Sequence, residues 1–139
     1  MQWLERVMEQ LRVLLADDNP AILEVVKQML QKDFTVVGTL QDGSSVLRQT
    51  PELNPDVLIL DISMGDVNGL ELTRQLKGKQ CSTKIILLTV HEEYDFIRAA
   101  FDAGASGYVF KSRMNVDLHA ALDAVKAGKV FIPQASITL

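Results

Sequence analysis

Asp17, Asp18, Asp61, Thr89 and Lys111 are the residues of this chain whose types and placement could do phosphoryl chemistry together. Each follows a short apolar run: Leu14-Leu15 leads into Asp17-Asp18, Leu58-Ile59-Leu60 into Asp61, Ile86-Leu87-Leu88 into Thr89, and Tyr108-Val109-Phe110 into Lys111. If those runs are strands of one open parallel sheet, their carboxyl ends line a single edge, and ligands bind in the crevice beyond it. Three carboxylates gathered there repel, by roughly 1 to 4 kcal/mol per pair at about 4 Å and surface-like dielectrics, so a cation must offset them. All-oxygen ligation with few protein ligands and room for water and phosphate oxygens suits Mg²⁺ better than Ca²⁺. A hydroxyl and an ammonium beside it can hold the oxygens of a phosphoryl group. Asp61 is then the nucleophile, attacking phosphorus to give an aspartyl phosphate. Asp17, Asp18 and the metal stabilise the in-line transfer, and Lys111 neutralises developing charge. The plainer readings make Asp18 a helix cap, Asp61 a polar residue after a buried strand and Lys111 a solvated edge charge. They explain each residue singly and leave the convergence unexplained.

The elements that must position these residues alternate between strand-like and helix-like from Leu11 to Gly128, which predicts βα units around a parallel sheet. Val13-Leu14-Leu15, Val57-Leu58-Ile59-Leu60 and Ile85-Ile86-Leu87-Leu88 are continuous aliphatic runs, as strands covered on both faces should be. The mixed run Phe34–Gly38 suits an edge strand, and Gly107–Phe110 supplies a fifth. The first helix should open on Asp18 or Asn19 before Pro20, present Leu23, Val26, Met29 and Leu30 to the sheet, and close near Gln31-Lys32. The second is expected from Gly43 to Thr50, stopped by Pro51, and the third from Asn68 or Gly69 to Gly78. Glu92 to Phe101, closed by Gly104, and Val116 to Ala127, closed by Gly128, complete the set. Trp3, Leu4, Val7, Met8 and Leu11 recur at helical spacing, so residues 1–10 are expected to form a helical extension before a domain spanning 11–128. Lys129 to Pro133 is expected to leave the last helix in an extended, apolar form, with 129–139 a linker or tail.

Composition narrows the function. The chain is 139 residues long and 47% apolar, enough for one domain with a full core. No apolar stretch approaches the roughly 20 residues that cross a bilayer, and Met1 to Glu5 lacks the basic start and apolar core of a signal peptide, so a cytosolic location is expected. Cys81 stands alone and is expected to be a surface thiol. A net charge of −4 provides no basic footprint for nucleic acid, so any contact with DNA would need another domain.

The motifs resemble those of the receiver domain of two-component response regulators, from about Leu11 to Gly128. Leu-Leu-Ala-Asp-Asp at 14–18 resembles the family's acidic pair, Leu-Ile-Leu-Asp-Ile-Ser-Met at 58–64 its phosphoacceptor strand, Leu-Leu-Thr-Val-His at 87–91 its switch-threonine segment, and Gly-Ala-Ser-Gly-Tyr-Val-Phe-Lys at 104–111 its last strand. The resemblance implies a flavodoxin-like fold, a doubly wound five-stranded parallel sheet of order 2-1-3-4-5 with helices on both faces. It implies phosphorylation of Asp61 by a sensor histidine kinase, with Mg²⁺ held by Asp17, Asp18, Asp61 and the backbone carbonyl of Ser63. Tyr108 is implied as the aromatic that turns inward when Thr89 moves to the phosphoryl group. Phosphotransfer and dephosphorylation are then self-catalysed, and the chain is not an enzyme in the ordinary sense. Val90-His91, Gly104–Tyr108 and Val125–Gly128 followed by Pro133 resemble receivers that precede a LuxR-type helix-turn-helix domain. That implies a transcriptional output, with a homodimer on phosphorylation as a further contact. The chain is either a fragment cut at the linker or a stand-alone receiver acting by protein contact. Gly65 stands where Pro is common, so the loop after Asp61 is expected to be freer.

Other classes fit less well. A Mg²⁺-dependent phosphohydrolase working through an aspartyl phosphate resembles Asp-x-Asp on the first strand, whereas here Asp17 and Asp18 are adjacent and the nucleophile is on the third. A nucleotide-binding module would need a Gly-rich phosphate loop after the first strand, and none is present. A receiver-like module that binds partners without phosphorylation does not need the complete set of reactive residues.

Overall fold

The computed structural model describes residues 10–134. Five parallel strands form the sheet: β1 (Arg12–Ala16), β2 (Thr35–Leu40), β3 (Val57–Leu60), β4 (Lys84–Thr89) and β5 (Gly107–Phe110). Their spatial order is β2-β1-β3-β4-β5, so the chain reverses direction across the sheet at the crevice between β1 and β3. Five helices connect them: α1 (Pro20–Leu30), α2 (Gly43–Leu53), α3 (Gly69–Gly78), α4 (Tyr94–Asp102) and α5 (Met114–Lys126). The parallel βα architecture expected from the alternation, and the doubly wound strand order implied by the resemblance, are the ones observed.

Alternation along each strand divides the core in two. Leu14, Leu58, Leu60, Ile85, Leu87 and Tyr108 face α2, α3 and α4, while Val13, Leu15, Ile59, Ile86, Leu88 and Val109 face α1 and α5. The central strands are aliphatic on both sides because both sides are covered.

Where the elements differ from expectation, the reasons are local. Phe34 lies outside β2: its N–H closes α1 on the Leu30 carbonyl at 2.8 Å and its side chain is buried between the helices of the second face. The strand instead runs on to Leu40, which pairs with Ala16, and a bulge at Val37 puts Gly38 opposite Leu14. Pro51 does not stop α2. The helix continues to Leu53 because a proline near its end removes only one backbone bond, while Asn54, at φ +46°, caps it with an N–H to the Thr50 carbonyl at 2.9 Å. Glu92 precedes α4, which starts at Tyr94 after an extended Glu93. A single turn of 3₁₀ helix, Lys111–Arg113, separates β5 from α5.

The loop after Asp61 is a short hairpin. Ser63–Met64 pairs antiparallel with Val67–Asn68, and Gly65, at φ +64°, opens the two-residue turn between them. A proline, fixed at a φ of about −65°, could not take this position, so the glycine permits the hairpin. At the other end Phe131 adds one parallel rung beside Gly107, with its N–H on the Ser106 carbonyl at 2.9 Å and its carbonyl accepting from Tyr108 N–H at 3.1 Å. The helix expected over residues 1–10 falls, but for Gln10, outside the described residues.

Candidate phosphoryl-transfer site

The topology brings the five candidate residues to one crevice at the carboxyl edge of the sheet. Asp17 follows β1 and is nearly buried, with its N–H held by the Leu40 carbonyl at 3.0 Å. Its Oδ1 accepts the Asn19 N–H at 2.9 Å, and Asn19 in turn caps α1 through Ala21 N–H. The expected cap is thus Asn19, which leaves the exposed Asp18 carboxylate available at the mouth. Asp61 follows β3, is 4% exposed, and accepts a long hydrogen bond from Ser63 N–H at 3.3 Å.

Lys111 reaches back from the end of β5 into this cluster. Its Nζ lies 2.8 Å from Asp17 Oδ2 and 3.0 Å from Asp61 Oδ2. Burial is the largest single influence on the ammonium and disfavours its charge, but the hydrogen bonds and charges of the two carboxylates outweigh it and hold the lysine pKa above its ordinary value. The arrangement is lopsided, because one ammonium serves two carboxylates. Burial pushes the Asp17 carboxyl pKa up, the Lys111 and Asn19 hydrogen bonds oppose the shift, and the charge of Asp61 adds to it.

The sign of that shift carries a prediction. A carboxyl whose folded pKa is raised binds its proton more tightly in the folded than in the unfolded chain. Metal-free protein therefore gains stability from this group as the pH falls through the raised value towards 3.8, and bears the full cost at neutral pH. Asp17→Asn is expected to raise the melting temperature in EDTA at neutral pH by roughly 3 to 5 °C, the effect of about 1 kcal/mol in a domain of this size. A lower melting temperature would mean that the Lys111 bond outweighs burial and repulsion.

Asp17, Asp18 and Asp61 each offer a carboxylate oxygen, all within 4.8 Å of one another. Oxygens opposite each other in an octahedron of about 2.1 Å arms are roughly 4.2 Å apart, so small side-chain movements suffice to close these three around a Mg²⁺-sized ion. The donor set is that of a hard divalent cation.

Thr89, at the end of β4, is fully buried and its Oγ1 accepts the His91 N–H at 3.3 Å. Tyr108 is also fully buried, its hydroxyl donating to the His91 carbonyl at 2.7 Å and its ring edge-on to Phe110 at 5.9 Å. Burial above all, with the negative charges of Glu93, Asp61 and Glu92, raises the pKa of the phenol and keeps it a donor. In this structure the ring lies inside, packed against the loop that follows Thr89.

Two residues of the site were not singled out as site residues from the sequence. A Cβ at Gly69 would lie 2.1 Å from the Asp61 carbonyl oxygen, and Gly69 N–H donates to the Ile62 carbonyl at 2.6 Å, so the start of α3 is packed directly behind Asp61. Asn68-Gly69 reads in sequence only as a helix start. His91 reads only as a subfamily mark, yet its Nε2 lies 3.2 Å from Ser63 Oγ, two residues past Asp61.

A doubly wound α/β domain with an acidic cluster and a lysine at its switch-point crevice has the groups to hold a divalent cation and a phosphoryl oxygen there. Residues 13–123 match the family model of the response regulator receiver domain, and the chain belongs to that family. It is 33% identical over 129 residues to the nitrate/nitrite response regulator protein NarL of Escherichia coli K12, a match covering 91% of this chain and 60% of the relative. It is 34% identical over 119 residues to the transcriptional regulatory protein DegU of Brevibacillus brevis, covering 84% of this chain and 49% of that protein. The chain thus spans about half to three-fifths of the length of these curated relatives. Among solved structures, the isolated receiver domain of RcsB from Salmonella enterica serovar Typhimurium with the phosphomimetic BeF₃⁻ superposes with a TM-score of 0.83 at 32% identity, covering 91% of this chain and 96% of that one. A LuxR-family response regulator from Aurantimonas sp. SI85-9A1 gives a TM-score of 0.86 at 30% identity, covering 91% of each chain.

Proposed function

We propose that this chain is the phosphoacceptor module of a two-component pathway, taking a phosphoryl group on Asp61 from a phosphohistidine of a sensor histidine kinase. The observation that carries the reading is the Lys111 ammonium bonded to both Asp17 and Asp61 within the acidic cluster. A carboxylate oxygen of Asp61 attacks phosphorus, an O–P bond forms as the P–N bond of the donor breaks, and the electron pair leaves on the imidazole nitrogen. Lys111 sits where it can follow the phosphoryl oxygens as the negative charge of Asp61 is lost to the ester-like bond. Thr89 Oγ1 uses a lone pair for His91 N–H and keeps its own O–H to donate. Mg²⁺ would be held by Asp17, Asp18, Asp61 and the Ser63 carbonyl, and supplies charge neutralisation for the in-line displacement. Incubation with Mg²⁺ and acetyl phosphate, followed by mass spectrometry, tests the assignment: one added phosphoryl group on the peptide containing Asp61 supports it, and none refutes it.

Mg²⁺ should also stabilise the fold by mass action. At ten times its Kd an ion contributes about 1.4 kcal/mol, a rise in melting temperature of roughly 4 to 7 °C. Asp18→Ala should lose the rise, since its exposed carboxylate is not needed for the metal-free fold. An equal rise in that variant would place the ion elsewhere.

The output is protein contact by a changed surface formed from α4, β5 and α5, residues 92–127. Kinship with DegU, a transcriptional regulatory protein, supports a transcriptional output, and the likeness to LuxR-type receivers assigns the DNA contact to a helix-turn-helix domain rather than to this module. The phosphorylated form is read as a homodimer, in keeping with the RcsB dimers among the solved neighbours. The module catalyses only its own phosphotransfer and dephosphorylation and works in the cytoplasm, a reading supported by the family.

A further inference from the structure

His91 joins parts of the site that are otherwise separate. Its backbone meets both switch residues, the N–H on Thr89 Oγ1 at 3.3 Å and the carbonyl on the Tyr108 hydroxyl at 2.7 Å. Its ring is pinned from two other directions: stacked on Phe96 of α4, with centroids 4.3 Å apart and planes at 17°, and bonded through Nε2 to Ser63 Oγ, two residues past Asp61. The neighbouring residue adds a further tether, Glu92 accepting from Ser112 Oγ at 2.9 Å, just beyond Lys111. The loop of residues 90–93 is thereby tied to the phosphoacceptor loop, to α4 and to the turn after β5, although Val90 within it is 64% exposed and packs little. An exposed loop held at three points, by two polar contacts and one ring stack, has one favoured position because of those tethers.

Resting on the phosphoacceptor reading above, we propose that His91 is a positioning residue for phosphoryl transfer: its ring clamps the loop between Ser63 and Phe96, and so keeps Thr89 and Tyr108 in place before any phosphoryl group arrives. The reactive arrangement is then a major population of the unphosphorylated protein. Loss of the clamp lowers that population, and the apparent reactivity falls by the same factor. A tenfold smaller competent fraction means roughly tenfold slower uptake at subsaturating donor.

The chain holds two tyrosines, which makes the clamp observable. Tyr94 is 66% exposed and Tyr108 is fully buried, so full-length protein labelled with meta-fluorotyrosine should show one solvent-like and one buried ¹⁹F resonance, assigned with Tyr94→Phe. His91→Ala should move or broaden the Tyr108 resonance towards the exposed position without any ligand, and slow labelling by acetyl phosphate with Mg²⁺ roughly tenfold. His91→Gln, which keeps a polar planar group within reach of Ser63 and Phe96, should recover most of both effects, and Ser63→Ala should reproduce part of them without altering the loop itself. Circular dichroism confirms that each variant is folded, and general loosening of the fold would not be rescued by glutamine. A Tyr108 resonance that stays buried in both His91→Ala and Ser63→Ala overturns the clamp, whatever happens to labelling. An exposed Tyr108 with an unchanged labelling rate overturns its role in transfer. Wild-type protein that takes up no phosphoryl group refutes the function proposed above and, with it, the transfer role of His91.

Discussion

Asp61→Asn is expected to abolish phosphoryl uptake while leaving the protein folded. An amide nitrogen or oxygen is far too weak a nucleophile to replace the carboxylate, and Asp17, the other carboxylate on Lys111, is held more tightly, by bonds of 2.8 Å to Lys111 and 2.9 Å from Asn19 N–H against 3.0 Å and 3.3 Å at Asp61. Incubation with acetyl phosphate and Mg²⁺ should leave no label above background, against stoichiometric labelling of wild type. The same substitution removes one of three clustered carboxylates, so the metal-free variant should melt no lower than wild type. Labelling that persists at Asp17 or Asp18 would overturn the assignment of the nucleophile, and a collapsed melting curve would show that the loss came from unfolding.

Gly69→Ala should be among the most damaging single changes in the chain. The added methyl would sit 2.1 Å from the Asp61 carbonyl oxygen and 2.8 Å from the Ile62 Cα, both backbone atoms of the segment that carries the nucleophile. Neither can yield as a flexible side chain would, so either α3 shifts or the phosphoacceptor loop does. Overpacking of this kind costs about 3 kcal/mol or more, which is a fall in melting temperature of roughly 10 °C. Gly78→Ala provides the contrast. A methyl there meets nothing within 4 Å, in the last turn of the same helix, and should be neutral or stabilising by up to about 1 kcal/mol. Thermal melts of the two variants side by side test the claim, and a wild-type-like Gly69→Ala would mean that α3 is not seated against Asp61.

The chemistry of the site was legible in the sequence because it depends on residue type at strand ends. Aliphatic runs with covering helices give a parallel sheet, its carboxyl ends share an edge, and the residue following each run is therefore placed near the others by topology alone. Asp17, Asp18, Asp61, Thr89 and Lys111 needed no further information to be grouped. The strands and helices followed from the same periodicity, apart from boundaries such as Pro51 and Phe34, where one proline or one aromatic is outweighed by packing and capping partners distant in the chain. Only the tertiary structure could show what depends on distances between atoms far apart in sequence. The Lys111 ammonium divides itself between two carboxylates, a missing side chain at Gly69 makes room for the Asp61 backbone, and Gly65 closes a hairpin. His91 ties two loops to both switch residues. Sequence patterns report which face of an element is apolar, and they carry no record of the few polar contacts and close approaches between loops that decide how a crevice of reactive residues is held.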